Sequence, residues 1–260
     1  MGALAASLMA MPLAMGCDGL RDGPKGTVRE VVDGDTVLLD TGLVVRLIGI
    51  QAPKLALGRE GFSDWPRAAD SRDALARLVL DKPVRLRFGG EEKDRHGRAL
   101  AQLFVTGDTE TWAQQQMLAT GMARVYSFPD NRACLGELFA AEGRARAGNL
   151  GIWGDPYYSV RRADRPADLL PLAGHFELIE GRVLKSARSG GRVFINFGRY
   201  FKEDMTAVIS GPALKLFSGG GIDPTGLAGA LVRVRGWVDV VDGPRIEITH
   251  PEQVEVLARP

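Results

Sequence analysis

From Thr27 to Pro53 the chain sets short runs of Val, Leu, Ile and Thr between tight polar breaks at Asp33-Gly34-Asp35 and Thr41-Gly42. Such runs, punctuated by Asp-Gly, predict two or three strands joined by hairpin turns. The period then changes. In WPRAADSRDALARLVLDKP, residues Ala69, Leu75, Leu78 and Val79 fall at helical spacing between Pro66 and Pro83, which predicts a helix with a defined start and stop. The segment VRLRFGGEEKDRHGRALAQLFV reads as two more strands around a polar turn, and residues 111–120 and 131–147 read as two further helices. Strands, a helix, strands and then helices make an α+β order.

A polar break follows at Gly154-Asp155-Pro156 and runs through Arg161-Arg162-Ala163-Asp164-Arg165-Pro166. Beyond it, HFELIEGRVLKSA, GGRVFINFG, MTAVIS, ALVRVRGWVDVVDG and RIEITHPEQVEVL are short β-rich runs with Gly-Gly and Asp-Gly turns between them. About five strands in roughly 90 residues predict a small β-rich domain, of which a second OB-like barrel is the expected form. The divisions expected are therefore a leader at 1–17, a linker at 18–25, a first domain at 26–155, a linker at 156–172 and a β-barrel domain at 173–260. In the last of these, Phe194, Phe197, Tyr200 and Phe201 with Arg192, Arg199 and Lys202 have the make-up of a single-strand-binding face. The alternation in RVFINF nevertheless sets Phe194 on one side and Ile195 and Phe197 on the other, which favours core positions for some of them.

Composition narrows the possibilities. The 260 residues hold 33 Lys and Arg against 32 Asp and Glu, a net charge of +1, so binding of polyanions by bulk charge is excluded and any such role rests on a local site. No run reaches the ~18 apolar residues of a spanning helix. Met1 to Gly16 are uncharged and rich in Ala, Met and Leu, as in the apolar core of an export signal. Gly16-Cys17 resembles the cleavage site of bacterial lipoproteins, although Ala14 stands where Leu is usual and a basic start is lacking. Export to a bacterial periplasm, or membrane anchoring through lipid on Cys17, is the expectation. Lipidated Cys17 would leave Cys134 without a partner, so no intramolecular disulfide is expected. The three histidines, His96, His175 and His250, are far apart and no Cys-x-x-Cys occurs, so no metal cluster of the zinc type is expected.

Three pieces of the first domain carry candidate chemistry: Val32-Asp33-Gly34-Asp35-Thr36, Arg46-Leu47-Ile48-Gly49-Ile50-Gln51-Ala52-Pro53-Lys54 and Asp94-Arg95-His96-Gly97-Arg98. Singly they are a turn, a surface strand and a hairpin tip. In this order, with LATGMARVY and AGNLGIW following, the stretch from Gly26 to Trp153 resembles the staphylococcal-nuclease-like, or thermonuclease, family. That resemblance implies a five-stranded OB-type barrel with three helices and calcium-assisted hydrolysis of nucleic-acid phosphodiesters. Calcium wants oxygen ligands, guanidiniums neutralise charge growing on phosphoryl oxygens, and a carboxylate takes the proton of the attacking water. The resemblance puts Asp35 at the first calcium carboxylate, Arg46 and Arg98 at the two phosphate-binding arginines, and Tyr126 near a tyrosine that packs on the nucleotide.

The departures fall at the reaction centre. Gln51 stands where the family has a second calcium aspartate, Ala52 would supply the backbone carbonyl ligand, and Lys54 stands at the general-base glutamate. A protonated lysine has no lone pair to accept a proton, and a neutral amide holds calcium less well than a carboxylate. The expectation is a protein of this family that binds single-stranded DNA or RNA, or another phosphate-bearing ligand, with weak or absent Ca²⁺ binding and weak or lost hydrolysis. One alternative is an active Ca²⁺-dependent endonuclease with a relocated carboxylate, Glu60 or Asp64 (His96 being a weaker candidate). The other is a non-catalytic envelope interaction module in which the arginines only build internal hydrogen bonds.

Overall fold

The computed structural model describes residues 17, 19–219 and 221–260. Residues 1–16 of the leader expected at 1–17, and Asp18, lie outside the described residues. The first unit runs β1 (Arg21–Asp33), β2 (Thr36–Leu39), β3 (Val44–Leu47), β4 (Gly49–Gln51), α1 (Ala68–Val79), β5 (Pro83–Phe88), β6 (Ala99–Val105), β7 (Thr111–Trp112), α2 (Ala113–Ala119), β8 (Arg124–Tyr126) and α3 (Leu135–Ala147). Strands pair in the order β3-β2-β1-β5-β6-β7, and a parallel β3–β6 pairing closes β1, β2, β3, β6 and β5 into a five-stranded barrel. β1 serves two sides of it. Its first half pairs β5 and its second half pairs β2, with register shifts in both ladders, the local bending that closure requires. The stretch expected as a linker, 18–25, is thus strand from Arg21 onward, because β5 offers it an edge.

Val37, Val45, Leu47, Leu86 and Leu103 point inward from the barrel, where Leu75 of α1 and Met117 and Leu118 of α2 meet them, all essentially unexposed. Thr111 and Trp112 leave the predicted helix for β7. Two motifs meet through bare backbone: Ile152 N–H donates to Gly121 O at 2.7 Å. Gly121 has φ +67°, and a Cβ there would lie 2.6 Å from the Leu150 carbonyl carbon and closer still to its oxygen.

Cys17 and Cys134 form a disulfide, with Cα atoms 5.2 Å apart. This corrects the expectation that no intramolecular disulfide forms. The pairing engages the Cys17 sulfur, the atom that lipid attachment would need. It pins Cys17, ahead of β1, to the residue preceding α3, two places 117 residues apart in sequence.

The stretch 156–172 is folded, with short 3-10 turns, β9 (Arg161–Arg162) and α4 (Pro166–Leu169). β10 (Phe176–Arg182), β11 (Lys185–Ser189), β12 (Arg192–Asn196), β13 (Thr206–Ile209), α5 (Gly211–Phe217), β14 (Leu231–Val240), β15 (Pro244–Ile248) and β16 (Val254–Ala258) follow. They pair as β11-β12-β13-β15-β14-β10-β9, with β16 branching off β14, an eight-stranded sheet where about five strands were expected. The additional strands have local causes. β9 comes from the polar break, and Pro251 splits the last run into β15 and β16 because its nitrogen cannot donate to a ladder. Val193, Ile195, Ala207, Ile209, Ile246 and Ile248 form the buried side. Phe194 takes the other face, and Tyr200 and Phe201 are exposed.

The two units share a polar and aromatic junction. Arg235 of β14 is 1% exposed and donates to Glu142 of α3 at 2.9 Å, to Glu255 at 2.6 Å and to Val125 O at 3.2 Å. Arg132 forks onto Glu252 at 2.7–3.0 Å, and Ser127 Oγ lies 2.6 Å from His250 Nε2.

Candidate phosphate and cation site

The β1–β2 turn is built to hold two carboxylates together. Asp33 ends β1 and pairs Thr36 across a two-residue turn. Asp35 N–H donates to Asp33 Oδ1 at 3.0 Å, the side-chain closure that makes Asp a turn residue. Gly34 permits close docking: a Cβ there would lie 2.6 Å from Ala52 Cβ and nearer still to Ser71 Oγ of α1. The DGD motif therefore sinks Asp35 completely, at 0% exposure.

Cations and donors converge on it. Ala52 N–H donates to Asp35 Oδ2 at 2.8 Å. Arg46, opposite Thr36 on β3, approaches the same oxygen at 3.4 Å. Its guanidinium also donates to the Leu47 carbonyl, and to Ile50 O at 2.6 Å. Lys54 Nζ lies 2.6 and 2.7 Å from the two oxygens of Asp35 and 3.2 Å from Asp33 Oδ2. Burial alone would raise the Asp35 pKa, but Arg46, Lys54 and the Ala52 N–H outweigh it and hold the carboxyl at about 2. Asp33 goes the other way. Its burial and the neighbouring Asp35 charge push it up against the pull of Lys54 and Arg46.

The remaining candidates lie elsewhere. Gln51, at the end of β4, gives its amide oxygen to Arg124 Nε of β8 at 3.2 Å. The Arg124 guanidinium sits 4.9 Å over the ring of Phe176 in the second unit, so Gln51 serves the junction. Ala52 meets Asp35 through its N–H. Arg98 is about one-third exposed and bonds Asp94 Oδ2 at 2.7 Å, on its own hairpin. Tyr126 packs edge-on against Phe128, Phe176 and Trp237, and its hydroxyl accepts from Trp237 Nε1 at 3.0 Å, so its ring faces the second unit. Glu60 and His96 are exposed. Asp64 accepts from Ala56 N–H at 2.6 Å, and Trp65 N–H donates to Lys54 O at 2.9 Å. Together these clasp the loop after Lys54. Sequence reasoning left out Asp33 and Arg124. Asp33 was legible as the second acid of its motif, whereas Arg124 gave no signal because its partners come from distant segments.

A family model of the staphylococcal nuclease homologue matches residues 44–155. Residues 44–155 are a staphylococcal nuclease homologue domain. The domain must reach back beyond the matched stretch, because β1 and β2 are two of the five barrel strands. The chain is 28% identical over 134 residues to the thermonuclease of Staphylococcus intermedius, covering 50% of this chain and 77% of that protein. It is 27% identical over 144 residues to the endonuclease YncB of Bacillus subtilis, covering 52% and 64%. It is 30% identical over 123 residues to the probable endonuclease LCL3 of Phaeosphaeria nodorum, covering 44% and 38%. These alignments take in about half of the chain.

The nuclease homologue domain does not offer calcium a suitable donor set. That ion takes roughly six to eight oxygens. Here both Asp35 oxygens and both Asp33 oxygens already accept N–H groups. Two carboxylates face Arg46 and Lys54, so the formal charges cancel. No group of three or more acidic, His or Cys side chains suited to a metal occurs among the described residues. Arg46 and Lys54 are spent internally, so Arg46 does not stand open as the phosphate-binding arginine that the resemblance implies. Arg98, with its Nε on Asp94 and its side chain about one-third exposed, is the remaining external cation of the set.

Proposed function

We infer that this chain engages nucleic-acid phosphodiesters without hydrolysing them efficiently. One observation carries the reading: the position that the resemblance assigns to a general base is an ammonium, and its hydrogens are directed at Asp33 and Asp35. A group in that state neither accepts the proton of an attacking water nor frees the two carboxylates to do so. Gln51, at the second carboxylate position, is committed to Arg124. The relatives whose names include thermonuclease and endonuclease support nucleic acid as the partner class, and Arg98 is the first phosphate contact. With Arg98 the one outward-facing cation among the candidate site residues, affinity is modest, and each single-strand phosphate contact adds only ~0.7 to the salt slope.

The Cys17–Cys134 disulfide supports an oxidising compartment, hence an exported protein whose Cys17 thiol is not lipidated. The test of function uses the purified chain with a fluorescently labelled single-stranded oligonucleotide, followed by anisotropy at low salt and by gel in millimolar Ca²⁺. Binding that weakens several-fold in Arg98→Ala, with strand cleavage near background, is the expected result. Rapid cleavage abolished by Glu60→Ala would establish the relocated-base alternative. Absence of binding would favour the interaction module.

A further inference from the structure

We propose that the Lys54 ammonium is the resident cation of this centre, standing in for a divalent ion and closing the site to one. An ammonium has three N–H donors in a compact arrangement. Three carboxylate oxygens meet them, at 2.6, 2.7 and 3.2 Å. The two Asp35 distances are only slightly longer than the ~2.3–2.6 Å of calcium–oxygen bonds, and the Asp33 contact is looser, so the nitrogen occupies the place of a small cation against Asp35. The backbone fixes it there: Lys54 O accepts from Trp65 N–H, and the intervening loop is closed by Ala56 N–H on Asp64. Lys54 is 22% exposed at its side chain while Asp35 is wholly buried, so the cation caps the acid from the solvent side.

The charge balance explains why the cap is permanent. With Arg46 it brings the four-group cluster to neutrality, whereas a divalent ion added to the intact cluster would leave it two units positive in a poorly hydrated place. Without the amine, Asp33 and Asp35 face only Arg46. The cluster is then one unit negative and has open oxygens, and it becomes a weak divalent site. The idea deepens the reading of a non-hydrolysing domain and rests on it only for the role of this centre.

Metal binding without nucleic acid separates the two. Mn²⁺ titrations read by electron paramagnetic resonance, and thermal unfolding in EDTA or in millimolar Ca²⁺, compare full-length wild type, Lys54→Ala, Lys54→Met and Asp35→Asn. Wild type should show no saturable Mn²⁺ site dependent on Asp35, and equal melting temperatures in EDTA and Ca²⁺. The Lys54 variants should melt several degrees lower in EDTA and recover with rising metal concentration, as a ligand bound only by the folded state requires. A wild-type Mn²⁺ site that Asp35→Asn removes would overturn the proposal. So would Lys54 variants that fold, melt like wild type in EDTA and ignore metal. If both variants fail to fold in EDTA, rescue by metal supports it, and without rescue the wild-type titration alone decides.

Discussion

At the scale of single residues, Asp33 and Asp35 are chemically alike and physically unequal. Asp35 is fully buried and takes both oxygens to cations and an N–H group, whereas Asp33 keeps one oxygen for Lys54 and one for the turn. Removing one partner of a buried pair leaves the other charge without compensation, at about 3–5 kcal/mol. Asp35→Asn should therefore lower unfolding free energy by that order in urea titrations. Asp33→Asn, which retains an oxygen for the turn and removes one longer contact, should cost about 1 kcal/mol. Equal losses would mean that Lys54 favours neither acid. The types of residue at this site were legible in the sequence: Asp35, Arg46, Ala52 and Lys54 do converge. Their allegiances were not legible, because a side chain's choice between a phosphate, a carbonyl and a neighbouring acid depends on geometry that no motif spells out. Arg46 turned inward to Leu47 and Ile50, and Gln51 turned to Arg124, for that reason.

Elements follow the sequence where periodicity is strong and depart from it where partners decide. The helix between Pro66 and Pro83, the Asp-Gly hairpin and the alternation that buries Ile195 opposite Phe194 were all readable from local chemistry. β1 was not, since Arg21 to Gly26 are polar and become strand only because β5 offers an edge. The split at Pro251 is present in the sequence but masked by the longer hydrophobic run around it. Contacts between motifs are equally hidden. Gly121 and Gly151 lie in different segments, yet each packs against the other's backbone, and both have positive φ. A methyl group at Gly121 must push the Leu150–Gly151 peptide away and adopt a left-handed φ as well. Gly121→Ala is expected to lose about 2–3 kcal/mol, visible as a lower melting temperature. Gly107→Ala, where an added Cβ meets nothing within 4 Å, should change it little. Similar melting for the two would show that the contact relaxes freely.

Over the whole molecule, stability is tied to two long-range devices, the Cys17–Cys134 staple and the junction around Arg235, Arg132 and His250. Cross-linking residues 117 apart constrains the unfolded chain by about 4–5 kcal/mol in the loop-entropy picture. Cys134→Ser should thus melt lower than wild type in air and alike in reductant, and coincidence under both conditions would remove the staple from the account. The junction adds a pH signature. His250 is unexposed, with Nε2 by Ser127 Oγ and Nδ1 2.8 Å from Thr249 Oγ1. Burial pushes its pKa down to about 4 from 6.5, Arg132 adds to the shift, and Glu252 and Asp130 oppose it. Between those values the unfolded chain carries a proton on this ring and the folded chain does not. The corresponding stability is complete above pH 6.5, declines as pH falls and levels off near pH 4, for a total of roughly 3 kcal/mol. Asp35, held at about 2 against an ordinary 3.8, contributes stability that disappears only at still lower pH, so the two windows barely overlap. Other buried acids, including Asp33 and Glu177, titrate in both proteins, and the difference between wild type and His250→Asn isolates the imidazole. That difference should vary by up to about 1.4 kcal/mol per pH unit between pH 6 and 4.5. A difference independent of pH would mean that the ring is already charged in the folded junction, against the desolvation that the packing imposes.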